Sequence, residues 1–264
     1  MTVKQDIREM LRALIVPALV LVICWVVWYF DFAYHLKFYK YGVKPRTAQG
    51  ALGIILYPFI HDTHNVNHMV NNSSALIVLM WALFYFYKEI AWKVLIGIWL
   101  IGGAWLWCLS REAYHIGASG IIYGLAAYIF FGGVARKDVR LMGVSMFVAF
   151  MYGSMVWGIL PFDYLLGAHK YDLSISFEGH LWGAAAGVLL AFFFKKQGPQ
   201  KKKYQWQIEE EMGIEPPDFE GDIRRQEEAA RILQQERERA IEEARQIRIN
   251  YIIKKQNDEK KPPE

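Results

Sequence analysis

The chain has 264 residues, 54% of them hydrophobic, a formal net charge of +4 and a mean hydropathy of only +0.12. These values agree only if composition is uneven: residues 195–264 hold 16 of the 30 Lys and Arg and 16 of the 26 Asp and Glu, so the apolar remainder carries the whole net charge. So apolar a body cannot stay solvated, which excludes intrinsic disorder there, and a charge of +4 on a membrane-rich chain gives no argument for nucleic acid.

Crossing a bilayer core takes about 20 apolar residues. The first such run is 11–30, with a single charge at Arg12. It is too long for a secretory signal peptide and no small-residue cleavage site follows it. Next comes a long connection, 31–65, whose apolar middle, 51–60, is too short to span and is expected to lie at the membrane interface or to dip in and out. Five further runs follow at 66–87, 92–109, 117–134, 141–160 and 179–194, bounded by charged or turn residues such as Lys88-Glu89, Arg136-Lys137-Asp138 and Pro161-Phe162-Asp163. Cys24 and Cys108 lie inside apolar runs and read as packing residues rather than a disulfide framework. The expected fold is an all-α polytopic membrane protein with six spans.

Six spans put both termini on one side. With the N-terminus inside, the inner segments hold thirteen Lys and Arg and the outer ones six. That bias favours cytoplasmic termini. The expected organisation is a cytoplasmic N-terminus at 1–10, a six-span core at 11–196, a linker at 197–221 and a charged helical cytoplasmic tail at 222–264. The tail is rich in Glu, Arg, Gln and Ala. Pairs such as Glu242 and Arg245 would support a solvated helix, and the thin apolar seam through Ala230, Leu233, Ala240, Ala244 and Ile247 is broken by Arg237. The tail is open to a cytoplasmic partner or to self-association.

Polar groups inside spans are costly and point to function. Three clusters stand out. His64, His68 and Asn72 recur every four residues, and so share one helical face. Gly117-Ala118-Ser119-Gly120, with Tyr123 and Gly124, opens the fourth span. Gly179-His180, with Gly183 and Gly187, opens the sixth. The second, fourth and sixth spans all run from outside to inside, so the charge bias places His68, Asn72, Ser119 and His180 in one layer at the outer boundary.

The chemistry open to such a layer is acyl transfer. Ser119 is a weak nucleophile that needs a base, and His180 can take its proton and return it to a leaving amine. His68, Asn72 and the Ser119 backbone at a helix N-terminus can face an oxyanion. Gly117 and Gly120 keep the turn open, while Gly120, Gly124, Gly183 and Gly187 let the fourth and sixth spans approach closely. Tyr123 lies one turn below Ser119. Blander uses compete: Gly-Ala-Ser-Gly alone can be mere packing, His115 is a rival base, and His64 with His68 has no third metal ligand beyond Asp62 or His61. The chemistry requires no cofactor or metal.

At these residues the sequence resembles the rhomboid intramembrane serine proteases of the bacterial six-span type. The matching elements are His68-x-x-x-Asn72, Gly117-x-Ser119-Gly120 with Tyr123, and His180-x-x-Gly183-x-x-x-Gly187. The resemblance implies a Ser119–His180 dyad without a required acid, and an oxyanion site from His68, Asn72 and Ser119. It further implies Tyr123 packed under His180, and Gly183 and Gly187 in helix packing. It implies transmembrane protein substrates cut within or beside the lipid bilayer. No organelle-targeting signal is visible, so the expected location is the bacterial plasma membrane, and the charge bias puts the site toward the outer face. The family often carries a Trp-Arg pair in the first outer loop; here there is Pro45-Arg46. The alternatives are a non-catalytic rhomboid-like adapter that binds transmembrane clients, and a small transporter or channel.

Overall fold

The computed structural model describes residues 3–159, 176–199, 205–214 and 218–259. The expected turn at Pro161-Phe162-Asp163, the outer-loop Lys170, the inner Lys201 to Lys203 and the Pro216-Pro217 part of the linker lie outside the described residues. The chain divides into two compact units, residues 1–201 and 202–264.

The first unit is an all-α bundle. Five helical segments are long and apolar enough to cross a membrane. The first is a pair, α1 (Val3–Ala13) and α2 (Ile15–Tyr34). The break between them has a local cause: Pro17 has no N–H to offer the Ala13 carbonyl. The chain instead tightens through Leu14 N–H to the Leu11 carbonyl, 3.1 Å. The N-terminal residues expected as a separate segment are therefore helical and run into the first span, held by Lys88 to Glu9 (3.0 Å) and by Trp81 Nε1–H to the Met10 carbonyl (3.2 Å).

The 51–60 stretch forms α3 (Ala48–Leu56) and a 3-10 turn, Tyr57–Phe59. Thr47 caps α3 by accepting from the Gly50 N–H at 3.1 Å. Gly50 and Gly53 are buried against the backbone of 42–44, while Leu52, Ile55 and Leu56 are exposed. One apolar face is thus left free, as expected of an interfacial helix. Arg46 ties the loop before α3 to the end of α5 (Ala91–Leu109), donating to the Ser110 carbonyl at 2.8 Å.

The remaining spans are α4 (Val66–Phe86), α5, α6 (Ser119–Arg136) and α7 (Val139–Tyr152) with the 3-10 segment Gly153–Gly158. The sixth, α8 (Phe177–Phe193), has 17 residues, about 26 Å at 1.5 Å per residue. It is buried against α5 and α6. Helix α6 is central, packed by α4, α5, α7 and α8. Leu79, Leu83, Val94, Ile98, Leu125, Tyr128 and Ile129 are fully enclosed around it. Lipid tails are as apolar as leucine, so van der Waals fit rather than escape from water holds these helices together. Phe147, Phe150, Leu19 and Val22 point outward, where lipid would cover them. Cys24 is buried, as a packing residue should be; Cys108 is exposed, and both are free thiols.

At the far end of α6 and α8, Arg136 joins the two helices. It donates to the Phe194 carbonyl at 2.7 Å and the Gln197 carbonyl at 3.0 Å, and lies over the Tyr87 ring. The cation thus meets the carbonyl end of α8, the negative pole of that helix.

The second unit contains α9 (Gln205–Glu211) and α10 (Phe219–Glu259). Helix α9 falls within the stretch read as linker. Helix α10 starts at the Asp218 cap, which accepts from the Gly221 N–H at 2.9 Å. The Glu242–Arg245 pair closes at 3.7 Å.

Candidate active site

The turn into α6 is fixed from the segment just before α4. Gly117 sits at φ +108°, a conformation open to glycine. Its N–H donates to the Tyr57 carbonyl at 2.9 Å, and the next N–H, of Ala118, donates to His61 Nε2 at 3.2 Å. The Ala118 carbonyl then accepts the first helical bond, from Ile122 N–H at 3.0 Å. Ser119 is the first residue of α6, where backbone N–H groups lack intrahelical partners.

His180 lies in the first turn of α8, capped by Ser176, whose Oγ accepts from the Gly179 N–H at 3.1 Å. Its Nδ1 is 2.9 Å from the Gly158 carbonyl and its Nε2 3.0 Å from Ser119 Oγ. A carbonyl only accepts, so Nδ1 carries the proton and the neutral ring presents a bare Nε2 to the Ser119 hydroxyl. Tyr123 stacks on the imidazole, with centroids 4.1 Å apart and planes 4° from parallel. A side chain at Gly158 would strike this stack, since its Cβ would lie 2.1 Å from the Tyr123 hydroxyl. The arrangement can move a proton from Ser119 Oγ to His180 Nε2 and back.

His68 joins Ser119 and His180 in lining an open cavity of about 660 Å³, together with His61, Gly117 and Ser176. Asn72 does not line it. One turn deeper on α4, it is nearly buried, and its Nδ2–H donates to His68 Nε2 at 3.2 Å. His68 then carries its own proton on Nδ1, the nitrogen left free to donate. His64 lies before the helix cap Asn65 and so is off the face shared by His68 and Asn72. Gly120 does not keep the turn open either: its Cβ position lies 3.0 Å from the Gly179 carbonyl, so its use is the approach of α8. Among the described residues no group of three His, Cys, Asp or Glu is placed to share a metal ion.

A second Ser–His pair sits beside the first. His115 Nε2–H donates to the Arg111 carbonyl at 3.2 Å, which leaves Nδ1 to accept from the Ser176 hydroxyl at 2.7 Å. His115 also bridges to Val43 by two backbone bonds. Arg111 pairs with the buried Glu178 at 3.1 Å. The rival base is therefore spent on fixing the cap of the helix that carries His180. Residue types alone do not reveal His61, Ser176 or the Gly158 carbonyl. Ser176 carries one signal, a Ser at the cap position of the sixth span; His61, five residues before Val66, and a backbone carbonyl carry none.

Burial pushes the His61 imidazole down to about 4, against an opposing pull from the Phe59 carbonyl. Burial also lowers His115. A histidine held neutral in the fold binds its proton more readily when unfolded. Its stabilising contribution is complete above pH 6.5 and is lost as pH falls toward 4. For His61 this amounts to on the order of 3 kcal/mol at pH 4. The thermal inactivation midpoint in detergent is expected to drop steadily between pH 6.5 and 4.5; a flat profile would contradict a neutral buried His61.

Fold and cavity together define a polytopic helical membrane protein that holds a Ser–His pair at the shared starts of two spans. Residues 48–197, more than half of the chain, match the Rhomboid domain, and the chain belongs to the rhomboid family. It is similar to uncharacterized proteins of Mycobacterium tuberculosis and Mycobacterium bovis, each 31% identical over 169 residues that cover 61% of this chain and 65% of the relative. An uncharacterized protein of Mycobacterium leprae is 30% identical over 169 residues, covering 61% and 62%. The chain thus spans less than two thirds of the length of the curated relatives it matches.

Proposed function

We propose that the protein is an intramembrane serine endopeptidase that cuts transmembrane segments through Ser119 and His180. The observation that carries this reading is the doubly bonded imidazole, with Nδ1 on the Gly158 carbonyl and Nε2 3.0 Å from Ser119 Oγ. Ser119 Oγ attacks the scissile carbonyl carbon while its proton passes to His180 Nε2. The Gly158 carbonyl then receives the N–H of an imidazolium, and so fixes tautomer and orientation as the acid does in a Ser-His-Asp triad, without its charge. The oxyanion is met by the Ser119 N–H and by His68, which Asn72 holds in orientation. Collapse breaks the C–N bond, and Nε2–H protonates the departing amine. Water, deprotonated by His180, then hydrolyses the acyl-serine. The distribution of Lys and Arg supports cytoplasmic termini and a site opening toward the outer face.

A fluorophosphonate probe is expected to label the wild-type protein at Ser119, and Ser119→Ala is expected to abolish both the label and cleavage of a transmembrane substrate in proteoliposomes. Undiminished cleavage by Ser119→Ala would overturn the mechanism. Capture of a transmembrane client without cleavage by the wild type would favour an adapter instead.

A further inference from the structure

The residue immediately before the nucleophile is held by a histidine that the mechanism above does not use. His61 is 3% exposed, and its Nε2 accepts from the Ala118 N–H at 3.2 Å. Only the neutral ring with its proton on Nδ1 can make that bond, and Nδ1 has no hydrogen-bond partner among the described residues. The preceding N–H, of Gly117, bonds to the Tyr57 carbonyl at 2.9 Å. Both N–H groups leading into Ser119 therefore end on one five-residue segment, 57–61. That segment is itself anchored: the Pro58 carbonyl faces Cys24 Sγ at 3.7 Å, and Phe59 packs edge-on against Trp99. The Trp99 Nε1–H in turn donates to the Ile54 carbonyl at 2.8 Å.

Sterics do not hold this turn. A Cβ at Gly117 would meet nothing closer than Ser119 Oγ at 3.9 Å, and glycine at φ +108° resists rotation little. The two hydrogen bonds must supply what side-chain crowding does not. Rotating the Gly117–Ala118 peptide would also carry the Ala118 carbonyl, the first acceptor of α6, and with it Ser119. The 3.0 Å approach to His180 depends on that position.

We propose that His61 is a positioning residue that holds the Gly117–Ala118 peptide, and through it Ser119, in register with His180. The proposal rests on Ser119 being the nucleophile. A loss of His61 then lowers kcat rather than raising KM, because His61, although it borders the cavity, is all but buried and its bond is to the Ala118 N–H, which substrate does not touch.

Three substitutions test it. Gln places an oxygen where Nε2 lies, Asn falls one carbon short, and Phe keeps the ring but offers no acceptor. His61→Phe and His61→Asn are expected to lower kcat on a transmembrane substrate, and the fluorophosphonate labelling rate at Ser119, by about 10- to 100-fold with KM changed less than twofold. His61→Gln is expected to stay within about threefold of wild type. Equal losses in Gln and Asn, or wild-type labelling in Phe, would overturn the proposal. Should Phe fail to fold, the Gln and Asn pair decides. Nitrogen-15 spectra of labelled histidines give a readout that needs no activity: His61, His68 and His180 are all expected as Nδ1–H tautomers at pH 7, and the one Nδ1–H signal that vanishes in His61→Gln is that of His61. A wild-type protein that shows this signal but never labels at Ser119 would sink the protease reading while leaving the His61 bond standing. Absence of the signal would sink the bond itself.

Discussion

Replacing His180 by alanine is expected to lower cleavage of a transmembrane substrate by about 10⁴-fold or more while the bundle stays folded. The size follows from what is left behind. Ser119 keeps its position at the start of α6, but its hydroxyl loses the Nε2 that stands 3.0 Å away. A neutral hydroxyl is a poor nucleophile without a base. Among the described residues the nearest rival groups are already engaged. His115 already donates to the Arg111 carbonyl and accepts from Ser176, and Glu178 is paired with Arg111. The fold is spared because the imidazole lines an open cavity, and removing it exposes only the Gly158 carbonyl and one face of Tyr123 to solvent. Initial rates in proteoliposomes, read beside helicity and the thermal midpoint, check this. A rate within tenfold of wild type would remove His180 from the mechanism.

The fold was legible because spans are long, apolar and punctuated by charge, and the bilayer admits few alternatives to helices. The meeting of Ser119 with His180 was legible for a geometric reason: alternate spans share a direction, so residues at their starts share a depth. Depth along a helix was harder to read. His68 and Asn72 share a face, but one turn separates a residue at the cavity wall from one buried behind it. The sequence offers Gly120 two uses, as an opening for substrate and as a point of close approach between the fourth and sixth spans; it faces the Gly179 carbonyl, which fits the second use and not the first. Sequence is silent on the anchor of His180, since the group that fixes its tautomer is the Gly158 backbone carbonyl, which every residue type carries. His61 offered no spacing that ties it to Ala118, 57 residues away.

The second large effect is expected at the contact between α6 and α8. A Cβ built on Gly183 would lie 1.9 Å from the Gly120 carbonyl oxygen, and one on Gly187 would lie 2.1 Å from that of Gly124. The obstacles are backbone atoms in helices, which cannot swing aside as a side chain can. Bringing 1.9 Å up to an ordinary contact of 3.4 Å requires the two helices to part by about 1.5 Å. Lipid gives no hydrophobic penalty that would press them together again, so the close fit that favours their association is simply forfeited. The same displacement acts on the 3.0 Å bond between Ser119, one residue before Gly120, and His180, three before Gly183. Gly183→Ala is therefore expected to destabilise the bundle by about 3 kcal/mol or more and to abolish cleavage by whatever protein remains folded. Gly143→Ala on α7 is the matched control: its Cβ meets nothing within 4 Å, and alanine is the better helix former by about 0.5–1 kcal/mol. Denaturant titrations in mixed micelles should separate the two variants in opposite directions from wild type. If Gly183→Ala is as stable and as active as Gly143→Ala, the backbone contact between α6 and α8 is not what sets the distance from Ser119 to His180.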